Sequence, residues 1–84
     1  MRIYLFVAED GEAAQRLVRQ ANERQLVVHQ HTGDDAEGAR LRQTYDITTR
    51  PAVLITLEDG SYVRMWQGAL PEISELAYAA QGRS

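Results

Sequence analysis

A chain of 84 residues with a formal charge of −3 and no cysteine has room for one small domain and no second module. The missing cysteine excludes disulfide staples, thiolate metal sites and cysteine nucleophiles together, so the core must stand on packing alone. All nine basic residues are arginine, mixed with twelve acids and not gathered into a stripe, which argues against nucleic acid as a partner. Apolar residues at 44% and charged residues at 25% match ordinary globular usage, so order is expected over residues 1–80, with a flexible tail at 81–84. The apolar run Ile3 to Ala8 is far too short to span a bilayer, and no small-residue cleavage site follows it. The expectation is a cytoplasmic protein with no membrane contact.

Arg2-Ile3-Tyr4-Leu5-Phe6-Val7-Ala8 is apolar on both alternating sets, the pattern of a central strand covered on both faces. Glu9-Asp10-Gly11-Glu12 then joins turn residues to acids that suit a helix N-terminus, with Asp10 or Gly11 as the cap. From Ala13 the period becomes helical. Ala14, Leu17, Val18 and Ala21 share one face, and the helix is expected to end near Asn22 to Arg24. Gln25 to His31 reads as a second strand, and a strand, helix, strand order of this length implies a right-handed unit with parallel strands.

Thr32-Gly33-Asp34-Asp35 breaks that strand, and Asp34 or Asp35 can cap a short helix from Ala36 to Tyr45. Its interior Gly38 weakens it on propensity, and Ala39, Leu41 and Tyr45 can cover only part of a sheet. Pro51 forces the residue before it out of the helical region, and Ala52 to Leu57 follows as a buried strand. Glu58-Asp59-Gly60-Ser61 holds Asp-Gly between apolar runs, a strong hairpin signal, so Tyr62 to Gln67 should run antiparallel to that strand. After Gly68-Ala69-Leu70, Pro71 suits a first helical turn, and Ile73, Leu76, Ala77 and Ala80 give the inner stripe of a closing helix. The expected architecture is α/β, in the order βαβαββα, with a four-stranded mixed sheet and helices on both faces.

That order, with Tyr45-Asp46-Ile47, Pro51 after a short connector, an apolar strand, Asp59-Gly60 and Gly68-Ala69-Leu70 before a helix carrying Leu76, resembles the thioredoxin superfamily in the short form that glutaredoxins also use. The resemblance implies a cis Arg50-Pro51 bond, against the alternative of a trans proline at a strand edge. It departs in the first half. Redox members place Cys-x-x-Cys where the first helix starts, so that its N–H groups stabilise a thiolate. Here that stretch is Gly11-Glu12-Ala13-Ala14 or, in another register, Ala8-Glu9-Asp10-Gly11. Thiol–disulfide exchange is therefore excluded.

The resemblance further implies a groove at the corresponding surface: Asp10, Gly11 and Glu12 at the helix start, Thr49, Arg50 and Pro51, and Gln67, Gly68 and Ala69. In redox relatives the backbone before the proline pairs with an extended segment, which needs no cysteine. The leading expectation is thus a non-redox adaptor or regulatory domain that binds a protein or peptide, with no cofactor. The alternative is a glutathione-binding or other non-thiol enzyme using Thr48 or Thr49. Tyr62, Arg64 and Trp66 are expected on one face of the last strand. There Tyr62 and Trp66 form either an exposed aromatic patch or, for Trp66, part of the core. A weak homodimer through a sheet edge or the Trp66 face is a further expectation. His29 and His31 alternate on one face of the second strand, but without an evident third ligand they read as solvent-facing residues, and no metal site is expected.

Overall fold

The computed structural model describes residues 1–9, 11–32 and 35–80. The tail expected at 81–84 lies outside the described residues. In chain order the elements are β1 (Arg2–Val7), α1 (Glu12–Glu23), β2 (Val28–Thr32), α2 (Ala36–Thr44), β3 (Ala52–Thr56), β4 (Tyr62–Gln67) and α3 (Ile73–Ala80). The strands form one sheet in the order β2-β1-β3-β4. β1 runs parallel to β2 and antiparallel to β3, and β3 runs antiparallel to β4. The expected βαβαββα order and mixed sheet are therefore present. The two near-continuous apolar segments are the two central strands, as burial on both faces requires.

The pleat divides the core in two. On one face Ile3, Leu5, Val7, Val53 and Ile55 meet Ala14, Leu17 and Ala21 of α1 and Leu76 of α3. On the other, Phe6, Ala52 and Leu54 pack with Ile47, and Leu41 and Tyr45 cover them from the side of α2. Helices thus lie on both faces, but unequally. α2 buries only Gly38, and Ala39, expected to help cover the sheet, is exposed. Gly38 is what allows the helix to sit close. A Cβ there would stand 2.6 Å from Asp35 Oδ1 and 3.0 Å from His31 Cβ, so the residue that weakens the helix locally permits its docking.

Both of the first two helices stop by the same device. Gln25 has φ +63° and Asp46 has φ +59°. In α1, Leu26 N–H donates to Ala21 O and Gln25 N–H to Asn22 O, both at 2.9 Å. In α2, Ile47 N–H donates to Arg42 O at 2.7 Å and Asp46 N–H to Gln43 O at 3.4 Å. These are paired six-to-one and five-to-two bonds that satisfy the last carbonyls of a helix. Because Gln25 closes α1, the second strand begins at Val28, three residues later than its composition suggests. It continues through Thr32, expected to end it. The remaining boundaries move less: β1 ends one residue sooner than expected and β3 stops at Thr56. Pro71 is buried before α3, outside its first turn, and Glu72 N–H donates to Glu75 Oε1 at 3.1 Å, half of a capping box.

A second departure lies in β4. Thr56 pairs with Tyr62 but Ile55 pairs with Arg64, so Val63 is an extra residue in a β-bulge. The insertion changes the parity of the strand. Arg64 and Trp66 share the face of Ile55 and Val53, whereas Tyr62 takes the face of Thr56. The single aromatic face expected for Tyr62, Arg64 and Trp66 is therefore split: a period of two fails across a bulge.

Two outcomes follow from the helix ends. Gln25→Gly removes the cost of a side chain in the left-handed region and should raise stability by about 1 kcal/mol in urea unfolding. At the start of α2, the Asp35 carboxylate accepts from Gly38 N–H and lies 3.1 Å from His31 Nδ1. The Gly38 bond first, and then His31, hold its pKa below the ordinary value of 3.8. A depressed carboxyl pKa contributes stability above the unfolded value, lost as pH falls through the folded one. Asp35→Asn, which still caps, should thus lower the urea midpoint near neutrality, with the difference closing as pH falls below the ordinary carboxyl value of 3.8.

Candidate functional site

Topology brings distant segments together at one end of the sheet. β1 points its C-terminus at the start of α1, and β3, running the opposite way, sets its own beginning beside that point, with Phe6 opposite Ala52. β4 returns antiparallel, so its end also arrives there, with Gln67 opposite Ala52. The loop 48–51 is thereby held between β1 and the end of β4.

Gln67 is the fastener. Its side-chain oxygen accepts from Thr48 N–H at 3.0 Å and from Thr49 N–H at 3.1 Å. One residue on, Gly68 N–H donates to Pro51 O at 2.9 Å. Gly68 has φ +87°, a conformation that favours glycine. The Arg50-Pro51 bond is cis, as the resemblance implied.

Across from this loop, Gly11 precedes α1 in extended conformation with no side-chain cap bond. Asp10, the other expected cap and a member of the expected groove, lies outside the described residues. Between helix start and loop lies an open cleft of about 340 Å³. Its apolar lining comes from Val7, Ala8, Ala13, Ala14, Pro51 and Leu70, and its charged groups are Glu9, Glu12 and Arg50. Four of the expected groove residues, Gly11, Glu12, Arg50 and Pro51, thus line one cavity. Thr49 lies in the loop but not in the cavity lining, Gln67 and Gly68 hold the loop by the bonds just described, and Ala69 is exposed beside them.

Sequence reading missed Val7, Ala8, Glu9, Ala13, Ala14 and Leu70 as lining residues. Those in β1 and α1 read as strand and helix interior. Only the crossing of β1 into α1 shows that their ends face Pro51. A second opening of about 340 Å³ adjoins the first through Ala13 and Leu70, and continues between α1 and α3 past Arg16, Gln20 and Ile73. Together they make a trough along one side of α1.

Trp66 is half-buried against the larger core cluster, and the Arg64 guanidinium carbon lies 4.8 Å from its ring centroid, a cation–π distance. Tyr62 is 58% exposed on the other face. His29 is exposed, while His31, expected to face solvent, is largely covered and bonded to Asp35. No helix among the described residues is long and apolar enough to cross a membrane. Comparisons with family models, curated proteins and solved structures found no match.

Replacing Gln67 tests the fastener. Gln67→Ala should increase native-state hydrogen exchange at the Thr48 and Thr49 amides about tenfold, at a cost of about 1 kcal/mol. Gln67→Glu, which keeps an acceptor in place, should retain most of the protection.

Proposed function

We propose that this chain is a cysteine-free domain of the thioredoxin type that binds an extended segment of another protein in the trough beside α1. The observation that carries the reading is the cleft at Pro51. An apolar floor is bordered by charged groups where β1, α1 and the 48–51 loop meet, the composition of a recognition pocket. The strand order β2-β1-β3-β4 and the place of Pro51 at the entry to β3 support the thioredoxin kinship.

The chemistry of the cleft favours binding over catalysis. The chain has no thiol. Thr48 and Thr49, the hydroxyl candidates, do not line the cavity, and their backbone amides are engaged by Gln67. What the cleft offers instead is room for an apolar side chain over Val7, Pro51 and Leu70. Among the described residues, the carboxylates of Glu9 and Glu12 stand at its border, against the Arg50 cation. That balance favours a guest with an apolar residue next to a basic one. The adjoining opening along α1 lets the guest continue beyond one residue.

Nuclear magnetic resonance titration of the full chain tests this reading. A short peptide with leucine followed by lysine should shift the amides of Gly11, Ala13 and Leu70. Ala13→Trp, which fills the junction of the two openings, should weaken binding at least about tenfold with the fold intact by circular dichroism. Shifts at these positions with glutathione, but none with peptides, would replace the adaptor reading with the glutathione-binding one.

A further inference from the structure

We propose that two copies of this chain pair through the outer edge of β2, and that this pairing assembles a site for one divalent transition-metal ion from His29 and His31 of each copy. The site is independent of the cleft at Pro51.

The two edges of the sheet differ in how they meet solvent. β4 carries the bulge at Val63 and the charge of Arg64, both of which discourage a foreign strand. β2 carries neither. It pairs with β1 residue for residue from Val28 to Thr32 without a register shift, and its sequence VHQHT has no proline and no acidic, lysine or arginine side chain. A regular, uncharged edge is a template for another strand.

The side chains of β2 select a second copy as that strand. A two-fold axis through Gln30 sets Val28 against Thr32, and each His29 against the second copy's His31. Antiparallel neighbours stand about 5 Å apart, and two residues along a strand span about 6.6 Å. Four imidazoles then border a rectangle of those dimensions, within reach of one metal ion at about 2.0–2.1 Å from each nitrogen. An all-imidazole donor set suits zinc, nickel or copper.

Each chain already holds its half in place. The His29 and His31 rings flank Tyr4 on one face, at 5.6 and 6.1 Å between centroids. Both line an open cleft of about 430 Å³, to which Glu37 adds a negative charge and Arg2 a positive one. His31 Nδ1 lies 3.1 Å from Asp35 Oδ2. An ionised carboxylate only accepts, so Nδ1 carries the proton and Nε2 keeps the lone pair of the neutral ring. Asp35 thereby acts as a positioning residue of the kind that orients metal-ligating histidines. Within one chain no three such side chains among the described residues could hold an ion, so the site is incomplete without the second copy.

Sedimentation velocity and calorimetry on the full chain with zinc sulfate or EDTA, at about pH 8 because metal binding releases protons, test the proposal. Zinc should tighten the dimer at least about tenfold, with one ion bound per two chains. His29→Gln, an exposed position checked by circular dichroism, should abolish the zinc response. Asp35→Asn, which keeps the helix cap, should weaken zinc binding about tenfold. A monomer in zinc at the highest soluble concentration, one ion bound per chain, or a zinc response that survives His29→Gln would each overturn it.

Discussion

The antiparallel pairing of β1 with β3 is the contact on which the rest of the molecule depends. Leu5 stands opposite Val53 and Tyr4 opposite Leu54, and Leu5, Val53, Leu54 and Ile55 are each at most 1% exposed. Burying an aliphatic side chain of this size contributes about 1.5–3 kcal/mol, and these strands do so toward both faces at once. No disulfide shares the task. The same pairing has a directional effect: because β3 runs against β1, the chain must enter β3 at Pro51 beside the exit of β1. The cleft is a by-product of how the core closes.

The two faces of the sheet are finished by different means. One receives the apolar stripes of α1 and α3. The other receives a helix whose only buried residue is Gly38, completed by Leu41, Tyr45 and Ile47 around its C-terminal end. Tyr45 extends the cover by donating its hydroxyl to Gly60 O in the β3–β4 hairpin. What stays open is the half of that face bearing Tyr4, His29 and Arg2. The polar and aromatic character of those residues fits partial exposure, where Leu or Ile would not.

Most of the architecture was legible because it rests on short-range patterns. Apolar runs on both alternating sets marked β1 and β3, the helical stripe at Ala14, Leu17 and Ala21 marked α1, and Asp59-Gly60 marked the hairpin. The departures share a cause, which is that the deciding contact lies outside any local pattern. Gln25 is a poor sequence signal for a helix end, since its left-handed backbone is normally given to glycine, and so β2 seemed to begin too early. The bulge at Val63 leaves no mark in a run that alternates acceptably, yet it sends Tyr62 and Trp66 to opposite faces. At the candidate site, Pro51 and Arg50 were found through resemblance to a family. Leu70 and the end of β1 became visible only once β1 and β3 were placed side by side.

Gln67 sits eighteen and nineteen residues away from the two amides it serves, and its one side-chain oxygen accepts from both. A visiting segment that tried to lie main chain to main chain against Thr48 and Thr49 would find both donors already satisfied. It would gain nothing there unless it first evicted an internal oxygen. On the proposed reading, selectivity at the cleft rests on the side chains that a visitor carries more than on its main chain.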